Sequence, residues 1–519
     1  MRFPTAKNLT QKASLNAFAA ALDYGARLIV GFFVTPLLVR GLGETVYGVW
    51  LLLGRTTEYL TIATGRSTQA LKWTLARQQH STDIIAKRRA VGSALTVWLL
   101  FLPLVITLGA LVVWLLPTAL HLSPTIVLVT RIAAAVLLIR LVANSLTDVP
   151  RSILEGENLG YKRMGLSAAI TIAGGGLTVL ALHLETGLVG VAIASLATVL
   201  ITGLLFLSVV RSNVSWSGVV KPTFAQTREF FSLSWWFLLW RFVMMVMLAS
   251  DLLILGFLES VELVTTYSLT KYFPEILVQI VAVVVFGITP GLGGIIGSGD
   301  LKKAAKVRGE VMMLSWLIVT TLGSAIVAWN REFVRLWVGP EYYAGSLTTL
   351  LILLLVIQLV LIRNDANIID LTLVLPRKVL IGVGGSVASV VIAASLVGYF
   401  KTGLLGMLLG LLGGRTILSL AYPMMIGRFL GTSMASQIRA VLRPGVLTLA
   451  LFALAGALSA KSQPEPMTGF VAWLRLLFLF ATTVGAAGLV AVMTGLSTDQ
   501  RRNIARRVSA LSGSLSKRG

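Results

Sequence analysis

The chain has 519 residues, 56% of them hydrophobic and only 13% charged, with a mean hydropathy of +0.87. A soluble chain of this length carries more charge and shorter apolar runs, so the composition is that of an integral membrane protein. Cysteine is absent, which excludes disulfides and thiol chemistry, and the net charge of +23 reads as basic cytoplasmic loops rather than a nucleic-acid surface.

The N-terminal MRFPTAKNLTQKAS has a basic head like that of a signal peptide. The apolar run after it contains Asp23 and Arg27 and has no clean cleavage site, so it reads as an uncleaved first helix. A spanning helix needs about 20 mostly apolar residues. Fourteen segments qualify: Leu15–Leu38, Val46–Gly65, Val91–Leu116, Ile126–Leu146, Gly165–Leu184, Gly187–Val210, Leu233–Leu258, Val261–Leu292, Val311–Trp329, Gly345–Ile362, Val379–Phe400, Leu404–Ile426, Val446–Ala460 and Gly469–Leu496. Pro274 and Pro290 should kink or end the eighth. All connections are short, and the longest outer one covers about 15 residues, 330–344.

Basic residues set the orientation. With the N-terminus inside, cytoplasmic connections hold 29 Lys and Arg and outer ones hold five, Arg40, Arg331, Arg335, Lys401 and Lys461. Both termini are therefore expected in the cytoplasm, with an even number of spans. Ten basic residues lie at membrane depth or its margins: Arg27, Arg55, Arg66, Arg131, Arg140, Arg241, Lys271, Arg363, Arg415 and Arg475. Against them stand roughly seven acids, Asp23, Glu58, Asp148, Asp251, Glu275, Asp365 and Asp370. A charge at the bilayer centre costs roughly 2.5–3.5 kcal/mol on the mildest scale, so such residues face other helices or a wet cavity. A cavity of this balance attracts an anion.

Particular pairs sharpen this. Asn16, Asp23 and Arg27 fall within about 40° on the first helix. Asp23 and Arg27 either neutralise one another or line a cavity, with Arg27 open to a phosphate. Arg55, Glu58 and Arg66 leave the second helix with a net positive stripe, unless Arg66 snorkels to the inner headgroups. Arg131 and Arg140 point to opposite faces, so Arg131 is expected to snorkel and Arg140 to face a cavity. Arg241 lies among Trp235, Trp236 and Trp240, and Asp251 is deeper in the same helix. Lys271 and Glu275 form an i, i+4 pair in a segment rich in hydroxyls, which suit either sugar contact or bonds between helices.

Other chemistry is absent. No GxxxxGK[ST] occurs, and His80, His121 and His183 are too scattered for a metal site. Gly406, Gly410 and Gly414 have the spacing of a helix-packing face. A short internal repeat places Arg27 and Arg241 at matching distances before GLGETVYGVW and GFLESVELVTTYS. It suggests two parallel six-helix lobes.

Four stretches carry a family resemblance. They are TPLLVRGLGETVYGVW (Thr35–Trp50), PRSILEGENLGYKRM (Pro150–Met164), ASDLLILGFLESVELVTTYSLT (Ala249–Thr270) and FVRLWVGPEYYAG (Phe333–Gly345). In order and spacing they resemble Wzx-like O-antigen and exopolysaccharide flippases of the multidrug/oligosaccharidyl-lipid/polysaccharide exporter superfamily. The resemblance implies an all-α integral membrane fold of about fourteen helices. Two six-helix lobes, 1–228 and 229–443, would face a central cavity, and 444–519 would hold two further helices and a basic tail. It implies no catalytic signature and no cofactor. Basic cavity positions in the first, seventh and eighth helices would bind substrate, here Arg27, Arg241 and Lys271.

The expected function is a flippase that moves an undecaprenyl-diphosphate-linked oligosaccharide to the outer leaflet of the inner membrane by alternating access. Arg27, Arg55, Arg140, Arg241 and Lys271 are the substrate candidates. Asp23, Glu58, Asp251 and Glu275 are the coupling or charge-pairing candidates, with a proton or sodium ion as the coupling ion. Membrane lipids and the polysaccharide polymerase machinery are further expected partners. A cation-coupled multidrug exporter of the same fold is the alternative. A membrane glycosyltransferase or polymerase is disfavoured, because the chain has no large outer loop to carry catalytic residues.

Overall fold

Apolar runs this long can satisfy their backbone in lipid only as helices or closed barrels. In the computed structural model they are helices, and no strand occurs among the described residues. These are residues 9–65, 67–78, 81–163, 165–371, 375–461, 468–496 and 501. The helices are α1 (Leu9–Leu42), α2 (Glu44–Leu60), α3 (Ser67–Arg77), α4 (Ile84–Ala119), α5 (Pro124–Gly156), α6 (Leu166–His183), α7 (Gly187–Asn213), α8 (Phe224–Leu258), α9 (Val261–Gly297), α10 (Leu301–Trp337), α11 (Ser346–Leu371), α12 (Leu375–Gly398), α13 (Gly403–Leu430), α14 (Met434–Lys461) and α15 (Gly469–Val490). Among the described residues, twelve are long and apolar enough to cross a membrane. The chain is a multi-pass membrane protein.

The fourteen expected segments correspond to every helix except α3. The two beyond the twelve are α2, with 17 residues, and α9. Several helices run past their expected ends, α10 by ten residues at its start and eight at its end, and three further differences have a physical cause. The helix α9 runs on through Pro274 and Pro290 to Gly297 rather than ending at either. Packed membrane helices tolerate proline because neighbouring groups satisfy the freed carbonyls. The helix α14 begins at Met434, twelve residues before the expected start, since its first turns are amphipathic (Ser436, Gln437, Arg439, Arg443) and hydropathy alone misses them. The third is α3, which occupies part of what reads as a basic loop. Its Leu71 and Leu75 are fully buried against α4 and α5.

Three helices at the basic ends carry side-chain caps that fix where they start. Asp83 accepts from Ala86 N–H at α4 (2.9 Å), and Asp300 accepts from Lys303 N–H at α10 (3.0 Å). Thr223 and Gln226 form a capping box at α8.

The chain divides into two compact units, Met1–Thr265 and Thr266–Gly519, with the division inside α9. In the first unit α5 packs on α7 and α4, α1 on α6, and α2 on α8. A cluster of buried residues, including Leu71, Leu75, Val97, Leu154, Val210 and Trp216, closes one end of it. In the second unit α13 packs on α12 and α11, and α10 packs on α11, α14 and α15. The α12–α13 contact uses the expected glycine face. A Cβ on Gly410 would lie 2.5 Å from Ala393 Cα, and one on Gly414 would lie 2.2 Å from Ser389 Cα. Large apolar side chains such as Leu100 and Trp114 on α4 and Leu204 on α7 are exposed, as a surface facing lipid requires.

Candidate functional site: charge within the spans

Asp23 on α1 is buried, and its partner is Arg163 rather than Arg27. The Arg163 guanidinium donates to Asp23 Oδ2 (3.3 Å), Ser167 Oγ (3.0 Å) and Glu155 Oε1 (2.9 Å). Glu155 also receives Lys72 (2.9 Å) and Arg151 (3.0 Å). Three cations therefore converge on Glu155 and Asp23, from α3, the end of α5 and the turn before α6. The turn depends on Asn158, whose φ of 55° lies in the left-handed region that Asn tolerates. In the sequence Arg163 is one of the 29 basic residues of the cytoplasmic connections, and its charge alone does not mark this role. Glu155 and Arg163 are separated by the turn-forming GENLG, the one signal that could have suggested it.

With Asp23 engaged elsewhere, Arg27 is exposed and makes no ion pair among the described residues. Arg55 and Glu58 on α2 pair at 3.2 Å. Arg140 is half-buried, and its Nε has no hydrogen-bond partner among the described residues. Arg131 stacks on Trp114 with its guanidinium 4.3 Å from the ring centre. Arg66 and the side chains of Asn16, Trp235 and Trp236 lie outside the described residues.

On α8, Arg241 is half-buried and its Nε also lacks a partner among the described residues. Asp251 is buried, and its Oδ1 accepts from Leu252 N–H (2.9 Å). Beside it, Ser250 shares a 2.7 Å hydrogen bond with Tyr59 of α2.

That contact belongs to a seam along which α2 lies antiparallel to α8 and the start of α9. Thr45 Oγ1 donates to Glu262 Oε1 (2.7 Å), and Thr265 Oγ1 donates to the Glu44 carbonyl (2.8 Å). A Cβ on Gly48 would sit 2.3 Å from the Val261 carbonyl oxygen, and one on Gly256 would sit 2.7 Å from Leu52. Glycine on each side thus lets the helices touch. Sequence reasoning did not identify this seam, although the two halves of the short internal repeat face each other at one end of it.

In the second unit, Lys271 pairs with Glu275 at 3.6 Å and lies 5.8 Å from the Tyr267 ring centre. The neighbouring hydroxyls serve the fold. Thr270 Oγ1 donates to the Tyr342 carbonyl (3.2 Å) and accepts from Ala344 N–H (2.9 Å). Asn330 donates to the Thr270 carbonyl (3.0 Å) and to Thr349 Oγ1 (3.2 Å). Two further acids are paired. Asp365 receives a bidentate contact from Arg308 (2.7 and 2.9 Å), and Asp370 receives Lys378 (2.6 Å). Lys378 reads in the sequence as an inner-loop cation yet is completely buried. No cluster of metal-ligating side chains occurs among the described residues.

No family model matches the chain, and no curated protein matches it in sequence. Solved structures do match. The lipid II flippase MurJ, in an inward closed conformation, has a TM-score of 0.66 at 14% identity, covering 91% of this chain and 98% of its own. An inward-facing multidrug resistance MATE family transporter of the MOP superfamily scores 0.64 at 14% identity, covering 79% and 98%. An outward-facing MATE transporter of that superfamily scores 0.57 at 15% identity, covering 81% and 96%.

This is the MATE and MurJ fold. The expected all-α membrane class is therefore the observed one, and the proteins that share it are transporters and a flippase rather than enzymes. Within this MATE and MurJ fold the charge inventory is lopsided. Asp23, Glu58, Glu155, Glu275, Asp365 and Asp370 each contact a cation. Arg27, Arg140 and Arg241 have no ion pair among the described residues.

Proposed function

We propose that the protein is a flippase for a lipid-diphosphate-linked oligosaccharide, working by alternating access. The observation that carries this reading is the pairing pattern. The acids named above are neutralised within the protein, while Arg27, Arg140 and Arg241 are left to attract an anion. Arginine suits a diphosphate because its planar fork gives two parallel hydrogen bonds at fixed charge. Arg27, Arg55, Arg140 and Arg241 are the phosphate-binding candidates of the first unit, and Lys271 is that of the second. The expected lobes, 1–228 and 229–443 with 444–519 following, remain part of this reading. The inner (plasma) membrane with both termini cytoplasmic is supported by the basic-residue asymmetry. Asp251, buried beside the Tyr59–Ser250 bond, is the first candidate for coupling to a proton or sodium ion. Undecaprenyl is the expected carrier, and the polymerase machinery is the expected consumer of the product.

The second reading is a multidrug exporter, favoured by the MATE structures among the matches. Binding of undecaprenyl diphosphate to the purified protein, read by native mass spectrometry, separates the two. Undecaprenol and an organic cation serve as controls. Charge-assisted hydrogen bonds contribute about 1.5–3 kcal/mol each, so Arg27→Ala and Arg140→Ala should each weaken diphosphate binding about 10- to 100-fold. Equal binding of undecaprenol, or preference for the cation, would sink the diphosphate reading and favour the exporter.

A further inference from the structure

The second unit holds a cavity of about 1020 Å³ between α10, α11, α13, α14 and the turn after α15. None of the residues discussed above as substrate candidates lines it. We propose that this cavity binds one anionic glycerophospholipid from the surrounding leaflet, head at the α10 and α14 N-termini and acyl chains inward.

Three observations converge on that ligand. The first is polarity. The charged lining residues are Lys306, Arg308 and Glu310 on α10, Asp365 on α11, paired with Arg308, and Arg439 and Arg443 near the start of α14. Further in, the wall is Met313, Leu317, Leu354 and Leu420. Basic pockets between membrane helices are recognised sites for anionic lipid heads.

The second is the charge left over at the mouth. Arg308 is neutralised by Asp365. Lys306, Arg439 and Arg443 make no ion pair among the described residues, and all three are exposed. Arg439 and Arg443 are one helical turn apart, so both reach the same headgroup.

The third is length. Lining residues on α10 run from Ala305 to Thr320. At 1.5 Å per residue that is about 22 Å, the depth of one leaflet with its headgroup layer. The polyprenyl chain of the proposed cargo is far longer, which is why a glycerophospholipid is assigned. The wall also has unused polar capacity, since Trp316 Nε1, Gln358 Oε1 and Gln437 Oε1 are buried without a hydrogen-bond partner among the described residues.

The test is native mass spectrometry of the full-length protein in detergent. It is titrated with phosphatidylglycerol, with phosphatidylethanolamine of the same chains, and with undecaprenyl monophosphate. Phosphatidylglycerol should be retained preferentially. Each surface arginine contributes about 1 kcal/mol to anionic-lipid attraction, so Arg443→Gln should cost about 5-fold and the Arg439→Gln/Arg443→Gln pair about 30-fold. Leu317→Trp, which fills the cavity and leaves the charges in place, should also displace the lipid. Equal retention of the zwitterionic lipid by the wild type would overturn the proposal, as would undiminished phosphatidylglycerol on the double variant. Displacement of phosphatidylglycerol by undecaprenyl monophosphate would instead assign the cavity to the cargo and overturn it too.

Discussion

Joining Thr45→Cys to Glu262→Cys with a short bifunctional thiol reagent is expected to abolish transport while leaving the protein folded. The two side chains already touch at 2.7 Å, and the chain has no native cysteine, so the reagent finds only this pair. In the proposed alternating-access cycle this seam would pass between a joined and a parted arrangement. It is built to join closely, with Gly48 against Val261, Gly256 against Leu52, and hydroxyl bonds at both ends. Such contacts are discrete, because packed surfaces are bistable rather than continuously deformable. Translocation of a lipid-diphosphate-linked sugar into proteoliposomes would be measured before and after crosslinking. Activity should fall to background and return when the crosslink is cleaved. Full activity in the crosslinked protein would show that α2 never leaves α8 and α9 during turnover. Gly48→Val should act in the opposite sense. Its Cβ meets a backbone oxygen that cannot swing away, so it should hold the seam apart and lower the crosslinking yield of the same cysteine pair.

The membrane fold was legible because its signal is long. Runs of twenty apolar residues admit few structures, and fourteen of the fifteen helices followed from length and hydropathy alone. What stayed hidden was set by short-range polarity or by partners distant in sequence. The start of α14 was missed because its amphipathic turns carry Arg439 and Arg443 amid apolar residues. The helix α3 was missed because Ser67–Arg77 is too short and polar to register as a span. Individual charges proved hardest. Local spacing puts Asp23 one turn from Arg27, yet Asp23 binds Arg163 about 140 residues later. Spacing on one helix says which residues share a face, and it does not say what faces them. Lys378 shows the same limit, since its place next to Arg377 reads as a loop when the side chain is in fact buried against Asp370.

Arg308→Ala is expected to be the most destabilising single substitution in the second unit. Asp365 is 2% exposed, and its two oxygens are held by the Arg308 fork. Removing one partner of a buried pair leaves an uncompensated charge and costs about 3–5 kcal/mol. Replacing both partners by apolar groups of similar volume, Arg308→Met with Asp365→Leu, removes the penalty together with the attraction. The double variant should therefore recover most of the lost stability, and thermal unfolding followed by tryptophan fluorescence of the twelve tryptophans would read both. Lys378→Met provides the contrast. Its partner Asp370 has a side chain 38% exposed and can be rescued by water, so the loss should be clearly smaller. If Arg308→Ala and Lys378→Met proved equally mild, the Arg308–Asp365 pair would be dispensable to the fold. The depth of Asp365 would then have to be matched by some other source of solvation, such as water entering from the adjacent cavity.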